Sequence, residues 1–402
     1  MERNIEKFDV CIIGASIAGN YLCYLLSNTS LKIVVIEEHE KVGFPFQCAG
    51  IVSQKLNKLI DFPKGIVLNR VKIANIVAPR GKFIKLSGNE EPYIIDRTAL
   101  DLFFYEKVRN NDTIQFLLGE KYKSFRRIRK RSQKRLLIKT SNRILEVKML
   151  IGCDGPLSTV AESFGIKNKI IPAVQIRITS NFAENEVSMY FDPRWKELFG
   201  WIVPEGNKIF RIGMACSQNT IKNFKIFLRQ LNINIKQRID QQGGLIPYGM
   251  MNRVSFDNIM LLGDSACQVK ATTGGGIINL LIASKYAANC IIKCFKNDKF
   301  SKKIIRRYYE KPCFSTIGKQ LKIHYLIRAV LERLSNNDFD KLFKIIKTSK
   351  IEKLINIYGD MDFPRTFILK LLRNPHVFTF LINFIIRNPN IFIILLKIAT
   401  KK

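Results

Sequence analysis

Phe8-Asp9-Val10-Cys11-Ile12-Ile13-Gly14-Ala15-Ser16-Ile17-Ala18-Gly19 is followed, after a helical pattern, by Ile33-Val34-Val35-Ile36-Glu37. Val10 to Ile13 is a continuous apolar run, the pattern of a parallel strand buried on both faces. Gly14 permits a sharp turn from strand into helix, and Gly19 lets that helix pack close to the strand. A helix entered this way presents free N–H groups and the positive end of its dipole, which suits a pyrophosphate. Glu37 closes the second strand about 20 residues after the glycines, where a carboxylate accepts from both hydroxyls of an adenosine ribose. Ser16 stands where a middle glycine is usual, but its side chain is small and its hydroxyl can donate to a phosphate. Gly14, Ser16, Ala18, Gly19 and Glu37 are therefore expected to bind a dinucleotide. An acid at position 37 argues against a 2′-phosphate and leaves FAD or NAD.

Two later stretches separate these. Leu150-Ile151-Gly152-Cys153-Asp154-Gly155 and Ile259-Met260-Leu261-Leu262-Gly263-Asp264 each read as an apolar strand ending in paired Gly and Asp. Asp264 is placed to accept from polyol hydroxyls such as those of ribityl. Thr272-Thr273-Gly274-Gly275-Gly276-Ile277 then opens a helical pattern that runs to Cys294. Its N-terminus suits the pyrimidine edge of a flavin, where reduction places negative charge. A flat ring lies most easily against bare backbone, hence the glycines. Asp154, Gly155, Asp264, Gly274, Gly275, Gly276 and Ile277 thus join the cofactor-binding set, and FAD is the expected cofactor. The plainer reading is two more strand ends with routine turns.

The chain has 402 residues, enough for two domains or one large composite unit, and its 47% apolar share is ample for a core. A net charge of +33 suits anionic membrane lipid, an acidic redox partner or nucleic acid. Part of it reflects lysine-heavy usage. The basic run from Lys121 through Arg131 to Arg135 lies between β-like segments, so it reads as a solvated hairpin or a contact for lipid headgroups, and nucleic acid is not expected as a partner. Nine scattered cysteines without a Cys-x-x-Cys pair suit a reducing cytosol, and no metal site is expected. No secretory signal is seen. His376 to Ala399 is rich in Phe, Leu and Ile but is broken at Arg387-Asn388-Pro389-Asn390, which predicts two short helices, buried or lying on a membrane surface.

The pattern predicts an α/β composite. Residues 1–60, 95–165 and 253–298 form a discontinuous Rossmann-like nucleotide domain. Residues 61–94 and 166–252 form an antiparallel-sheet substrate domain, and 299–402 a helical basic region. Asp96 to Val108 reads as a helix, and turns fall at Pro79-Arg80-Gly81 and Ser87-Gly88-Asn89.

Three further motifs carry a likeness. Gly43-Phe44-Pro45-Phe46-Gln47-Cys48-Ala49-Gly50, Gly200-Trp201-Ile202-Val203-Pro204 and the segment Gly263 to Ile277, with the pair Asp96-Arg97, resemble the geranylgeranyl reductase family of flavoproteins. The nearest likeness is to its archaeal digeranylgeranylglycerophospholipid reductases, which share the fold of para-hydroxybenzoate hydroxylase. The resemblance covers roughly the first 300 residues. Only two residues separate Pro45 from Cys48, where the family has three. Val203 replaces the usual Phe, and Cys267 and Ala271 replace a small residue and a proline.

The resemblance implies saturation of isoprenoid C=C bonds in a membrane ether lipid or its precursor by hydride from reduced FAD. It implies that Cys48, Ala49, Gly50 and Arg97 contact the cofactor. Cys48 is the candidate for tuning or proton supply, and equally reads as a small buried hydrophobe. Trp201 and Pro204 would wall an apolar substrate pocket, and Lys270 is the candidate for a headgroup phosphate at its mouth. The expected setting is cytoplasmic and peripheral to an anionic membrane, with ferredoxin or NAD(P)H as electron donor. The rival on the same fold is a flavin-dependent monooxygenase or halogenase.

Overall fold

The computed structural model describes residues 5–88, 90–130 and 133–400. Asn89 of the Ser87–Asn89 turn and Arg131 of the basic run lie outside the described residues. The first sheet is built on strand Glu6–Ile13, in which Val10, Cys11 and Ile12 are fully buried. It pairs in parallel with Ile33–Glu37 on one side and Ile144–Gly152 on the other. Ile114–Leu118 and Ile259–Leu261 extend the parallel set outward, also in parallel. Both faces are covered, which is why these strands lack polar alternation. Helix Ile17–Leu26 follows Gly14 and is buried along most of its length. It packs between helix Arg97–Val108 and helix Ile277–Lys296. The first of these partners begins where Asp96 accepts from the Ala99 N–H at 3.0 Å, as an N-cap should.

The basic run is a hairpin. Tyr122–Lys130 and Gln133–Thr140 pair antiparallel on the edge of the first sheet, with Lys123, Arg126, Arg127 and Arg129 exposed. Ile277–Lys296, the one helix among the described residues long and apolar enough to cross a bilayer, buries Leu281, Ala287 and Ile291 completely in the core.

A second sheet of seven strands is mostly antiparallel. From one edge it runs Arg238–Tyr248, Lys169–Thr179, Ile209–Ala215, Gly200–Gly206 and Glu186–Tyr190. Ile73–Val77 joins it through a parallel pairing with Glu186–Tyr190, which ties an early segment to a late one. A small three-stranded sheet of Ile51–Val52, Tyr93–Ile95 and Val67–Arg70 is interleaved in the chain with Ile73–Val77 and Phe83–Leu86 of the second sheet.

The C-terminal helices do not stand apart. Phe339 and Phe343 of helix Asn336–Thr348 and Phe380 and Phe384 of helix Pro375–Arg387 share one apolar cluster with Ile84 of the second sheet and Ala78 of the turn before it. The apolar stretch near the C-terminus divides into Pro375–Arg387 and Pro389–Thr400, as its sequence predicts. Phe384 is fully buried, whereas Phe378 on the same helix is 51% exposed. Phe384→Ala should therefore cost about 3–5 kcal/mol. Phe378→Ala should cost less than about 0.5 kcal/mol. Urea unfolding of the two variants checks the contrast; equal midpoints would contradict the packing described.

Candidate active site

The turn after the first strand is closed by backbone. Gly14 has φ +100°, and a Cβ there would sit 2.4 Å from the Cys153 carbonyl oxygen. A Cβ on Gly19 would sit 2.0 Å from the Gly14 carbonyl oxygen. No side chain fits at either position. Ser16 is the N-cap residue of helix Ile17–Leu26 but makes no side-chain cap bond. Its hydroxyl instead accepts from Arg97 Nη2 at 3.0 Å. The first helical turn carries no acid, so its positive end is uncompensated from within. Ala18 is buried and lies against Gly263, where a Cβ would approach it at 3.2 Å. Glu37 reaches back from the second strand. Its Oε2 accepts from the Ala15 N–H at 2.8 Å, and its Oε1 meets the His39 N–H at 3.0 Å and the His39 ring Nδ1 at 2.6 Å.

Arg97 is the junction of the site. It forms an ion pair with Asp101 one turn along its own helix, and Asp101, Cys48 and Asp264 all lie close enough to favour its charge. Two distant parts of the chain, at Cys48 and Asp264, therefore lie near one guanidinium, which also bonds to Ser16. Burial raises the Asp101 carboxyl above its usual range, although Arg97 opposes this. Burial likewise pushes Asp264 up to about 6, again against Arg97. Asn20, fully buried, donates to the carbonyls of Ala15 at 2.7 Å and Asp101 at 3.2 Å. Sequence reading missed Asn20 and Asp101. Polar residues on a helix otherwise buried against a sheet were the available signal.

The loop around Cys48 is set on the second sheet. Arg211 Nη1 donates to the carbonyls of Ala49 at 3.0 Å and Ile95 at 3.2 Å, and Gly50 has φ +80° with the Arg211 side chain where a Cβ would lie. Cys48 is half-buried, and its Sγ accepts from the Gly50 N–H at 3.3 Å. Its carbonyl accepts from Gln175 Nε2 at 3.4 Å, and Gln175 Oε1 accepts from Trp201 Nε1 at 2.8 Å. Trp201 lies over Gly213 of the neighbouring strand. With Val203 it belongs to an apolar cluster against which Ala49 and Ile51 pack.

The second glycine-rich bend is held from two sides. A Cβ on Gly276 would lie 3.3 Å from Val269 and 3.5 Å from Asp264 Oδ1, so this glycine backs directly onto the acid. Gly274 has φ +73°. Gly276 precedes Ile277, the first residue of helix Ile277–Lys296, without a side-chain cap bond. Behind the bend, Arg328 donates to the carbonyls of Ala271 at 2.9 Å and Thr272 at 2.8 Å. His324 Nε2 faces the Asp362 carbonyl at 3.2 Å, so that nitrogen carries the proton and Nδ1 accepts from the Thr272 hydroxyl at 2.7 Å. Burial, then the nearby Lys270, pushes His324 down to about 4. His324, Arg328 and Asp362 were not expected from the sequence.

Three expectations are corrected. Lys270 is not at an open mouth: it is 5% exposed, and its ammonium is held by Asp362 at 2.7 Å and the Met361 carbonyl at 3.1 Å. A second ammonium, Lys55, stands 3.7 Å from the other oxygen of Asp362. Asp154 is engaged first within its own turn. Its two oxygens accept from the Ser158 hydroxyl at 2.6 Å and the Val160 N–H at 3.0 Å, capping the short helix Thr159–Glu162. Gly155 beside it has φ +75° and open space where a Cβ would lie. Pro204 does not share a wall with Trp201. Side chains alternate along a strand; Trp201 and Val203 pack on one face and Ile202 on the other, and Pro204 has the parity of Ile202.

The set fits an FAD: a side-chain-free turn before a helix N-terminus, an acid at the end of the second strand, and a glycine bend backed by a buried acid. Gly14, Ser16, Gly19 and Glu37 would hold the adenosine and phosphate end. Arg97, Asp264 and Gly274–Gly276 would hold the flavin end.

Comparisons with known proteins agree with this geometry. The model of the FAD binding domain family matches residues 7–241. An uncharacterised protein, MJ1520 of Methanocaldococcus jannaschii, is 28% identical over 93% of this chain and 96% of its own. A digeranylgeranylglycerophospholipid reductase of Methanococcoides burtonii is 25% identical over 87% of this chain and 90% of its own. The likeness thus runs beyond the first 300 residues into the C-terminal helices. Among solved structures, a geranylgeranyl bacteriochlorophyll reductase-like protein of Thermoplasma acidophilum superimposes with a TM-score of 0.80 over 95% of this chain and 100% of its own, at 21% identity. The fold is the flavoprotein fold expected from the sequence, and the chain belongs to the FAD binding domain family, with FAD as its cofactor.

Proposed function

We propose that the protein is an FAD-dependent reductase that saturates C=C bonds of geranylgeranyl chains in archaeal-type ether lipids or their isoprenoid precursors. One observation carries the reading: the apolar cluster of Trp201 and Val203 packs against Ala49 and Ile51, immediately beyond the Cys48 loop that converges on Arg97. An apolar wall therefore adjoins the place where the cofactor residues meet. Relatives named as reductases of this lipid class support the same reading.

An isolated alkene has no polar group to activate it, so the site must work by placement and by excluding water. Bound FAD supplies the hydride chemistry. Trp201 and Val203 give the Cys48 loop an apolar, water-free backing. Gln175 ties the Trp201 indole to the Cys48 carbonyl and so fixes the wall relative to the loop. The Cys48 sulfur accepts from Gly50, which leaves its S–H free to hold a proton for the second carbon. The electron donor in this reading is an acidic ferredoxin or NAD(P)H, and the setting is the cytoplasmic surface of a membrane.

Dithionite-reduced protein incubated with an unsaturated archaeal ether lipid should yield products heavier by two hydrogens for each bond saturated, read by mass spectrometry. Oxygen uptake coupled to a hydroxylated product would instead favour a monooxygenase. Glu37→Ala removes a charged acceptor and should weaken FAD binding by about 1.5–3 kcal/mol, seen by titrating apo-protein with FAD. Trp201→Ala should keep bound FAD and lose turnover; an FAD-free Trp201→Ala protein would refute the wall assignment. If the donor is an acidic protein, added salt should slow its reduction of the flavin while leaving dithionite reduction unchanged. Salt-insensitive turnover would point to NAD(P)H.

A further inference from the structure

The C-terminal helices leave an apolar stripe on the outside of the molecule. Helix Pro375–Arg387 buries Val377, Phe380 and Phe384 against the protein. Its opposite side carries Phe378, Ile382 and Ile386, which are 51%, 42% and 72% exposed. These three are spaced i, i+4 and i+8, so they form one continuous stripe rather than scattered surface residues. Phe392 and Ile393 on the next helix and Leu369 on the preceding one are also exposed. Single exposed apolar side chains are ordinary, but a stripe on a helix already buried on its other side has a partner.

Charge decides what that partner is. No acidic residue follows Asp362 in the sequence, whereas Arg365, Lys370 and Arg373 precede the stripe. Arg365 and Arg373 are exposed. Exposed apolar side chains on a helix too short to span a bilayer, with exposed cations on the segment just before it, match the interface of an anionic membrane. We propose that the exposed faces of helices 365–371 and 375–387, together with Phe392 and Ile393, dock the protein on an anionic lipid bilayer, with Phe378, Ile382 and Ile386 entering the headgroup–acyl boundary. The proposal deepens the lipid reading above by naming the surface that meets the substrate's membrane, yet it rests on surface geometry and its test reads binding rather than turnover.

The test uses full-length FAD-loaded protein and vesicles of equal parts phosphatidylcholine and phosphatidylglycerol, read by co-sedimentation. Wild type should bind, and about 0.5 M NaCl should weaken but not abolish binding, since screening removes only the charge contribution. Phe378→Gln/Ile382→Gln/Ile386→Gln should lower partitioning at least tenfold, a factor worth about 1.4 kcal/mol. It should keep wild-type circular dichroism and bound FAD, because none of the three side chains is buried in the core. Arg365→Gln/Arg373→Gln should weaken binding at low salt only. Wild type that ignores the vesicles, or a triple variant that binds like wild type, overturns the proposal. So does a wild-type dimer by analytical ultracentrifugation that the triple variant dissolves while vesicle binding persists, for the stripe would then join two copies. Stripe-dependent binding in a protein that reduces no polyprenyl lipid would keep this surface and remove the reductase reading. Lipid reduction in detergent combined with stripe-independent vesicle binding would do the reverse.

Discussion

The site depends on the absence of two side chains. Gly14 and Gly19 bring strand, turn and helix so close that backbone touches backbone, and any Cβ would overlap a carbonyl oxygen. Close approach places helix Ile17–Leu26 inside the core rather than on it, which in turn requires its polar residues to find partners there. Asn20 does so through the carbonyls of Ala15 and Asp101. Asp101 then faces Arg97, and Arg97 reaches Ser16. A steric condition at two glycines thus propagates into the charge pattern of the cofactor cleft.

A second layer of support comes from the C-terminal helices. Lys270 and Asp362 form a buried pair beside the glycine bend, and Arg328 and His324 hold the same bend through Ala271 and Thr272. Such pairs contribute little net stability, since desolvation offsets attraction, but losing one partner costs about 3–5 kcal/mol. Their value here is that they leave the bend one arrangement. His324 serves this as a neutral ring, because burial and Lys270 both disfavour its charged form. The bend is therefore insensitive to pH across the neutral range as far as His324 is concerned.

What could be read from sequence was local. Continuous apolar runs ending at Gly14, Gly152 and Gly263 announce parallel strands, and Asp96 announces a helix start, because each signal sits within a few residues of its consequence. The C-terminal clamp was not legible: Thr272 and His324 are 52 residues apart, and Lys270 and Asp362 are 92 apart, with no periodicity linking them. The same distance explains the misplaced Lys270. A lysine near a cofactor segment looks like a ligand-binding cation until a remote acid is folded onto it. Asp154 misled for the opposite reason: its partners Ser158 and Val160 are so near that the acid is spent on its own turn. Pro204 was joined to Trp201 by a shared motif, whereas the pleat of the strand separates them.

The C-terminal helices also stand behind the apolar wall. Phe343, Phe339, Phe191, Phe199 and Trp201 form a row of rings with successive centroids 6.5, 5.8, 5.6 and 6.4 Å apart. Each contact is modest, but a close-packed interior transmits displacement because it has no slack. The position of the Trp201 indole is thus set by Gln175 and Gly213 within the sheet and by a ring stack that ends on helix Asn336–Thr348. The same helix lies against Phe380 and Phe384, whose far side carries the exposed stripe. Surface and pocket wall are consequently two faces of one packed unit, and the bend that faces the flavin end is fastened to the same set of helices. The C-terminal region thus supplies both the backing of the wall and the clamp on the bend, and through Ile305, Tyr309 and Ile317 it also packs into the core of the first sheet.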